Sequence, residues 1–300
     1  MKKRGKNMKS SINYHLHTAF SDGIKSVEEL VKSLKNNGIT SFSITDHDSV
    51  GGNEKGKEYA DKYGIHYVNG IELICNMTGE ANFDARYTAH ILGLGIDVDI
   101  MKKELENAKN RKEEMLNTLV DLLIENGYKI DRENICDSSD TIARKYILAE
   151  LVENGYATNR TEAFTKILNT GVFKPYSRNK MSIKEGIQAI HNAGGLAIIA
   201  HPFKIKMERS RDLSYQEAAS LLEIYAKEDY GFDGIEVYYG HYNARQIEFL
   251  LNIAADYNWL KSIGTDFHFF NANPMYRIQK QVFDVENIIP DESIRTKFKD

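Results

Sequence analysis

Cysteine is nearly absent: Cys75 and Cys136 are the only two in 300 residues. That is too few for a disulfide framework, and the expected compartment is the reducing cytoplasm. No run of about 18 apolar residues occurs, so no membrane-spanning helix is expected. The basic start, MKKRGKNMKSS, runs into INYHLHT rather than an apolar stretch and reads as a frayed start, not a signal peptide. An excess of positive charge is also missing. Lys and Arg total 39 against 43 Asp and Glu, giving a net charge of −4. A protein that grips nucleic acid by bulk charge is basic, so stable binding of duplex DNA is not expected and an anionic substrate must meet a local site. Hydrophobic residues at 42% and charged residues at 27% are ordinary for a globular chain and exclude wholesale disorder.

What is present is an alternation of short apolar runs with amphipathic stretches. Ile12 to Thr18, Ile39 to Thr45, Ile65 to Leu73 and Tyr87 to Leu94 read as strands. Helices are expected over Val27 to Asn37, behind the capping box Ser26-x-x-Glu29, and over Gly52 to Tyr63. From Asp99 to about Asn169 the strands stop, and a long charged helix over Ile100 to Asn126 is followed by shorter ones. The rhythm returns with a capping box at Ser182-x-x-Glu185, the buried strand Leu196 to Ala200, and strands over Asp233 to Tyr239 and Trp259 to Thr265. The expectation is an α/β fold with a parallel core: a barrel-like domain over 11–98 and 182–300, with a helical insertion over 99–181.

Histidine numbers 9 of 300, so its placement carries information. His15-Leu16-His17 puts two imidazoles on one side of a strand, because side chains alternate with period two. Chance would supply about 0.3 such pairs, so the motif alone is weak. The other placements strengthen it. Thr45-Asp46-His47-Asp48, Gly70-Ile71-Glu72, Ala200-His201-Pro202 and Gly264-Thr265-Asp266-Phe267-His268 all stand at strand ends, and His90 lies in strand-like sequence. In a (β/α) barrel the C-terminal strand ends converge on one mouth. Imidazoles and carboxylates gathered there suit Zn, Mn or Fe rather than Ca.

Together with Ser21-Asp22-Gly23, and in this order along the chain, these motifs resemble the polymerase-and-histidinol-phosphatase (PHP) superfamily from about Ile12 to His268. The resemblance implies a distorted (β/α)7 barrel with an inserted all-helical subdomain, and a centre of three divalent transition metals that hydrolyses phosphoesters. Carried over residue by residue, it implies that His15, His17, Glu72 and Asp266 hold the first metal. Glu72 then bridges to a second, completed by His90 and His201, and Asp22, His47 and His268 hold the third. A water between cations loses its proton near neutral pH and serves as nucleophile, so no serine or cysteine is required. Asp266 or Asp46 is a candidate to carry the proton; for Asp46 and Asp48 the favoured role is to orient His47 or nearby backbone.

The insertion resembles that of PHP phosphatases acting on nucleoside 3′,5′-bisphosphates and short RNA 5′ ends, in which a Gly-Arg-Pro-His segment faces the site. Here the matching stretch is Ala143-Arg144-Lys145-Tyr146, which keeps the arginine and loses the proline and histidine. Arg144, Lys174, Arg178 and His241 are candidate contacts to the substrate. The expected function is a metal-dependent phosphoesterase releasing phosphate from small nucleotides or short oligonucleotides. The alternatives are a histidinol-phosphate phosphatase and a non-catalytic PHP metal-binding module. The Arg144 segment argues against the first, and the intact ligand set without any polymerase region argues against the second.

Overall fold

Two strands and two helices open the fold: β1 (Ile12–Asn13), α1 (Val27–Asn36), β2 (Ser41–Ile44) and α2 (Asn53–Tyr63). They belong to a computed structural model that describes residues 12–77, 88–136, 140–176, 180–204, 213–227 and 230–268. Val27, Leu30, Val31 and Leu34 recur at helical spacing on α1 and pack with Phe42 and Ile44 of β2 in one buried cluster. The expected capping box starts α1: the Ser26 hydroxyl accepts from the Glu29 N–H, and the Glu29 carboxylate accepts from the Ser26 N–H, an arrangement worth about 1 kcal/mol.

Next come β3 (His66–Asn76), β4 (Thr88–Leu94) and the long helix α3 (Val98–Glu125). After α4 (Glu133–Cys136), α5 (Asp140–Glu153) and α6 (Arg160–Glu162, continued as a π-helical turn over Ala163–Leu168), the pattern of strands resumes. It runs through α7 (Ile183–Asn192), β5 (Leu196–Ile199), α8 (Tyr215–Lys227), β6 (Gly234–Tyr239), α9 (Ala244–Asp256) and β7 (Leu260–Gly264).

The seven strands form one sheet in sequence order. Its two ends meet: Leu16 bridges Phe267, Tyr14 N–H donates to the Ile263 carbonyl at 2.9 Å, and Asp266 N–H to the His15 carbonyl at 3.0 Å. The sheet is therefore a nearly closed barrel. The expected first strand is real only over Ile12–Asn13; residues 14–17 continue as this irregular seam. Alternate residues Leu92 and Leu94 of β4 and Leu196 and Ile198 of β5 pack with Val68, Tyr14 and Leu260 across the ring. Ile12, Leu196 and Leu260 begin their strands, so this apolar plug fills the end opposite the mouth.

The parallel core expected from the sequence is corrected at one strand. β4 runs antiparallel to both β3 and β5, whereas the other pairs are parallel. The physical reason lies in the connection. A parallel return needs a crossover of roughly a dozen residues or more, usually helical. The connection from Asn76 to Thr88 has no helical period in its sequence.

The chain divides into two compact units, the barrel and residues Leu105–Lys180. The helical unit has its own core. Leu116, Leu119, Val120 and Leu123 of α3 pack with Ile147 and Leu151 of α5, and with Ile167, Leu168 and Phe173. On α3 this spacing puts the apolar residues on one face.

Candidate metal centre

At the barrel mouth, β2, β3, β5 and β7 end and β4 begins. The reversal of β4 explains His90. It lies near the start of its strand rather than the end, yet pairs with Ile74, two residues beyond Glu72. Antiparallel pairing thus brings the beginning of β4 to the same end as the C-termini of its parallel neighbours.

Glu72 is the hub. It is fully buried, and five imidazoles surround its carboxylate. His15 Nε2, His90 Nδ1 and His201 Nε2 lie 3.2, 3.0 and 3.1 Å from Oε1; His17 Nε2 and His47 Nδ1 lie 3.1 and 3.0 Å from Oε2. Asp266 Oδ1 stands 3.3 Å from His15 Nε2 and 3.2 Å from His17 Nε2. On the outer side, Asp22 meets His268 Nε2 at 3.2 Å and His47 Nε2 at 3.8 Å. Three groups have ligand atoms within 4.8 Å of one another: His15–His17–Glu72–Asp266, His17–Asp22–His47–His268 and His47–Glu72–His90. The first is the set expected from the sequence, and the second adds His17 to the expected trio. The third has His47 where His201 was expected, while His201 reaches the same Glu72 oxygen.

These residues fit divalent metals. His15 Nε2, both His17 nitrogens, His47 Nδ1, Glu72 Oε2 and His201 Nδ1 are buried without a hydrogen-bond partner. A buried polar atom left so costs free energy unless something else satisfies it. Ligands about 2.0–2.1 Å from a tetrahedral metal lie about 3.3–3.4 Å from one another. The contacts of His15 and His17 with Glu72 and Asp266, at 3.1–3.3 Å, come close to that edge length.

The electrostatics agree. Burial lowers an imidazole pKa, but at His17 the carboxylates of Asp266 and Glu72 facing Nε2 overcome it and push the pKa up to about 9. His15 is raised in the same way, burial being outweighed by Glu72, Glu236 and Asp266. His47 moves oppositely, to about 4, because burial and its neighbours His17 and His90 outweigh Glu72. Burial would raise Glu72 and Asp266, but the imidazoles around them hold both well below the usual carboxylate range. Concentrated negative charge in a buried pocket is what draws a cation.

Asp46 is engaged on the loop beside the cluster. Its carboxylate accepts from the Thr18 N–H, the Thr18 hydroxyl and the Ser21 hydroxyl, each at 2.7 Å, and so holds the loop that leads from His17 to Asp22. Asp48 accepts from the Ile74 N–H at 3.1 Å. Non-glycine residues with positive φ are Asp48, His201, Asn258 and Asp266; three of them sit in this cluster or beside it, where backbone strain characteristically collects.

Two residues here went unnoticed in the sequence. Glu236, fully buried on β6, lies 3.0 Å from His15 Nδ1 and accepts from the His201 N–H at 2.9 Å. The Tyr239 hydroxyl donates to Asp266 Oδ2 at 2.9 Å. The available signal was the lone carboxylate within GIEVYY, since a charge inside a buried strand requires partners.

Among the expected substrate contacts, His241 lies in the turn after β6 with its ring 5.1 Å from that of Tyr239, which itself touches Asp266. Arg144, on α5, is half-buried and donates from Nη1 to the Tyr176 carbonyl at 2.8 Å. Lys174 is exposed in the short 3-10 turn Gly171–Tyr176 of the same helical unit. Arg178 lies outside the described residues. His66 and His191 stand apart from the cluster, meeting Ser41 and Asp233.

A barrel with a mouth of imidazoles and carboxylates defines a metal-dependent hydrolase. Residues 13–237 match the PHP domain model, and the chain belongs to that family. It is 27% identical to a 5′-3′ exoribonuclease of Haemophilus influenzae, over 87% of this chain and 91% of that one. It is 26% identical to a 3′,5′-nucleoside bisphosphate phosphatase of Chromobacterium violaceum, over 86% and 87%. In structure it resembles an amidohydrolase of Chromobacterium violaceum with bound sulfate, with a TM-score of 0.55 at 25% identity, covering 89% of this chain and 94% of that one. The fold also matches a candidate metal-dependent phosphoesterase of Bifidobacterium adolescentis, with a TM-score of 0.54 at 24% identity, covering 96% and 95%.

Proposed function

We propose that this PHP-family phosphoesterase releases phosphate from small nucleotides, namely nucleoside 3′,5′-bisphosphates or the 5′ ends of short oligonucleotides. The observation that carries the reading is the buried carboxylate of Glu72 ringed by five imidazoles at 3.0–3.2 Å. Relatives named as a nucleoside bisphosphate phosphatase and as exoribonucleases support the choice of substrate. Histidinol phosphate is not favoured, and neither is a non-catalytic role.

His15, His17, Glu72 and Asp266 would hold one divalent transition metal, Zn, Mn or Fe. Glu72, His90, His201 and His47 would hold a second, and Asp22, His47, His268 and His17 a third. Bound metals supply a lowered water pKa and neutralisation of the phosphate oxygens. The protein residues do the rest. Glu72 balances positive charge from several directions at once. Tyr239 keeps one Asp266 oxygen engaged and leaves the other facing His15 and His17. Asp266 or Asp46 would be the carboxylate to carry a proton, and Asp46 also accepts from the loop that leads to Asp22. His241, beside Tyr239, would meet the part of the nucleotide that is not cleaved; Arg144, Lys174 and Arg178 are the substrate contacts proposed from the sequence of the insertion. The two cysteines suit a cytoplasmic enzyme, and no helix among the described residues is long and apolar enough to cross a membrane.

The test is phosphate release from a panel of nucleoside bisphosphates, short 5′-phosphorylated oligonucleotides, sugar phosphates and histidinol phosphate. Metal-stripped protein is assayed with Zn²⁺, Mn²⁺ or Fe²⁺ added back singly. Activity on the nucleotides only after metal addition is expected. Preference for histidinol phosphate, or turnover independent of metal, contradicts the proposal.

A further inference from the structure

β6 supplies none of the expected metal ligands, yet it touches three of them. Glu236 Oε1 lies 3.0 Å from His15 Nδ1, and Oε2 accepts from the backbone N–H of His201 at 2.9 Å. Three residues on, the Tyr239 hydroxyl donates to Asp266 Oδ2 at 2.9 Å. Residues three apart on a regular strand face opposite sides. Here they do not, because the pairing of β6 with β7 slips. Glu236 pairs with Ser262 and Tyr238 with Ile263, which leaves Val237 as an extra residue. Such a bulge re-aims the side chains that follow it, and it turns Tyr239 to the side on which Glu236 lies.

We infer that the bulged strand β6 is a brace for the metal centre, in which Glu236 and Tyr239 are positioning residues that fix the donor atoms of His15, His201 and Asp266. The chemistry at His15 is specific. A carboxylate has no hydrogen to give, so the nitrogen facing Glu236, Nδ1, keeps its hydrogen, and Nε2, which faces Glu72 and Asp266, is the nitrogen that would give up its proton to a metal. Glu236 therefore selects the tautomer able to ligate. Its second oxygen ties down His201, whose φ of +25° is a conformation the backbone does not hold unaided. Space is tailored as well: a Cβ on Gly264 would lie 2.6 Å from Glu236 Oε1 and 2.1 Å from His15 Cβ, so the contact requires glycine there. Tyr239 completes the set by occupying one Asp266 oxygen. The other is left to face His15, His17 and His268 at 3.3, 3.2 and 3.4 Å.

The inference rests on the reading that this cluster holds metal, so the experiment separates the two. Glu236→Gln has one acceptor oxygen for two donors. If the amide oxygen serves His201, the amide NH₂ faces His15 Nδ1 and favours the tautomer with hydrogen on Nε2, which cannot ligate. Metal-stripped wild type, Glu236→Gln and Tyr239→Phe are titrated with Zn²⁺ alone by calorimetry, and folding of each is verified by circular dichroism. In Zn²⁺-loaded protein labelled with ¹⁵N-histidine, the His15 Nδ1–H resonance reports the tautomer, which general loosening of the fold would not invert. Glu236→Gln is expected to bind Zn²⁺ about 10- to 100-fold more weakly, with that resonance lost, and Tyr239→Phe about tenfold more weakly, in line with removal of an outer partner of a ligand. Wild-type affinity in both variants overturns the brace while leaving the metal reading intact. Failure of the wild type to take up Zn²⁺, Mn²⁺ or Fe²⁺ overturns the metal reading itself. Should Glu236→Gln not fold, Tyr239→Phe decides alone, and unchanged affinity there overturns the brace.

Discussion

His47 and Glu72 are joined twice: their main chains form an isolated parallel bridge, and His47 Nδ1 lies 3.0 Å from Glu72 Oε2. The flanking hydrogen bonds, Glu72 N–H to the Asp46 carbonyl at 3.2 Å and Asp48 N–H to the Glu72 carbonyl at 2.9 Å, extend the pairing of β2 with β3 into the mouth. Two neighbouring strand ends thus share one carboxylate.

That sharing makes Glu72→Gln the most informative substitution at the hub. Shape is kept and charge is removed, so the imidazoles lose the anion that holds them together. Zn²⁺ uptake and phosphate release are expected to fall by more than the roughly hundredfold typical of losing an outer partner. The substitution keeps the shape of a side chain inside the sheet, opposite Leu92 of β4, and the circular dichroism spectrum should persist. Wild-type turnover in this variant would remove Glu72 from the bridging role.

Metal occupancy should be uneven. Asp22 is 56% exposed at its side chain and His268 20%, whereas Glu72, His15 and His17 are completely buried. Timed treatment with a chelator, followed by elemental analysis, is expected to strip the Asp22–His47–His268 position first. Asp22→Asn should speed that first loss and leave the slower phase unchanged. Simultaneous loss of all metal contradicts the assignment of a labile outer site.

Stability of the metal-free protein should fall as pH rises from about 6.5 to about 9. His17 has a folded pKa of about 9 against roughly 6.5 in an unfolded chain. A pKa raised by folding contributes stability that is complete below the unfolded value and lost as pH passes the folded one. His15 is raised and acts in the same direction. His47, lowered to about 4, weakens the fold only below about pH 6.5. Excess Zn²⁺ should reverse the trend, because metal competes with protons for the same nitrogens and binds more tightly as they leave. Thermal melts at fixed ionic strength with and without Zn²⁺ check this; a metal-free Tm that is flat or rising across the window counts against it.

Arg144 tests the substrate. A guanidinium on the insertion can clamp a second phosphate bidentately, whereas an aryl phosphate has none to offer. Arg144→Ala is expected to lower kcat/KM for a nucleoside 3′,5′-bisphosphate by roughly ten- to a thousandfold and to leave an aryl phosphate nearly unchanged. If the residue serves only to brace the Tyr176 carbonyl within its own unit, both substrates fall together or neither does. Parallel kinetics separate the outcomes.

Most of the mouth was legible in the sequence because metal ligands come in short motifs at strand ends, where a polar residue has no other reason to follow an apolar run. His15, His17, Glu72 and Asp266 meet as their motifs implied. Glu236 was not legible, since a single carboxylate inside GIEVYY carries no spacing to read; its meaning depends on partners 221 and 35 residues away. Tyr239 was hidden by the Val237 bulge, which breaks the period-two rule on which a reading by eye relies. The reversal of β4 was legible in principle from the lack of a helical pattern between β3 and β4, which a uniform rhythm does not allow for.

The seam between residues 14–17 and 263–267 also sets when the enzyme comes into being. The candidate ligands begin at His15 and end at His268, and the segment that carries the last two is tied to the first two by hydrogen bonds: Asp266 N–H to the His15 carbonyl, and His17 N–H to the Phe267 carbonyl. A chain emerging from the ribosome lacks a full set of donors until its seventh strand has been made and has found its first. A phosphoesterase built this way has no complete cluster until the two ends of its sheet have met.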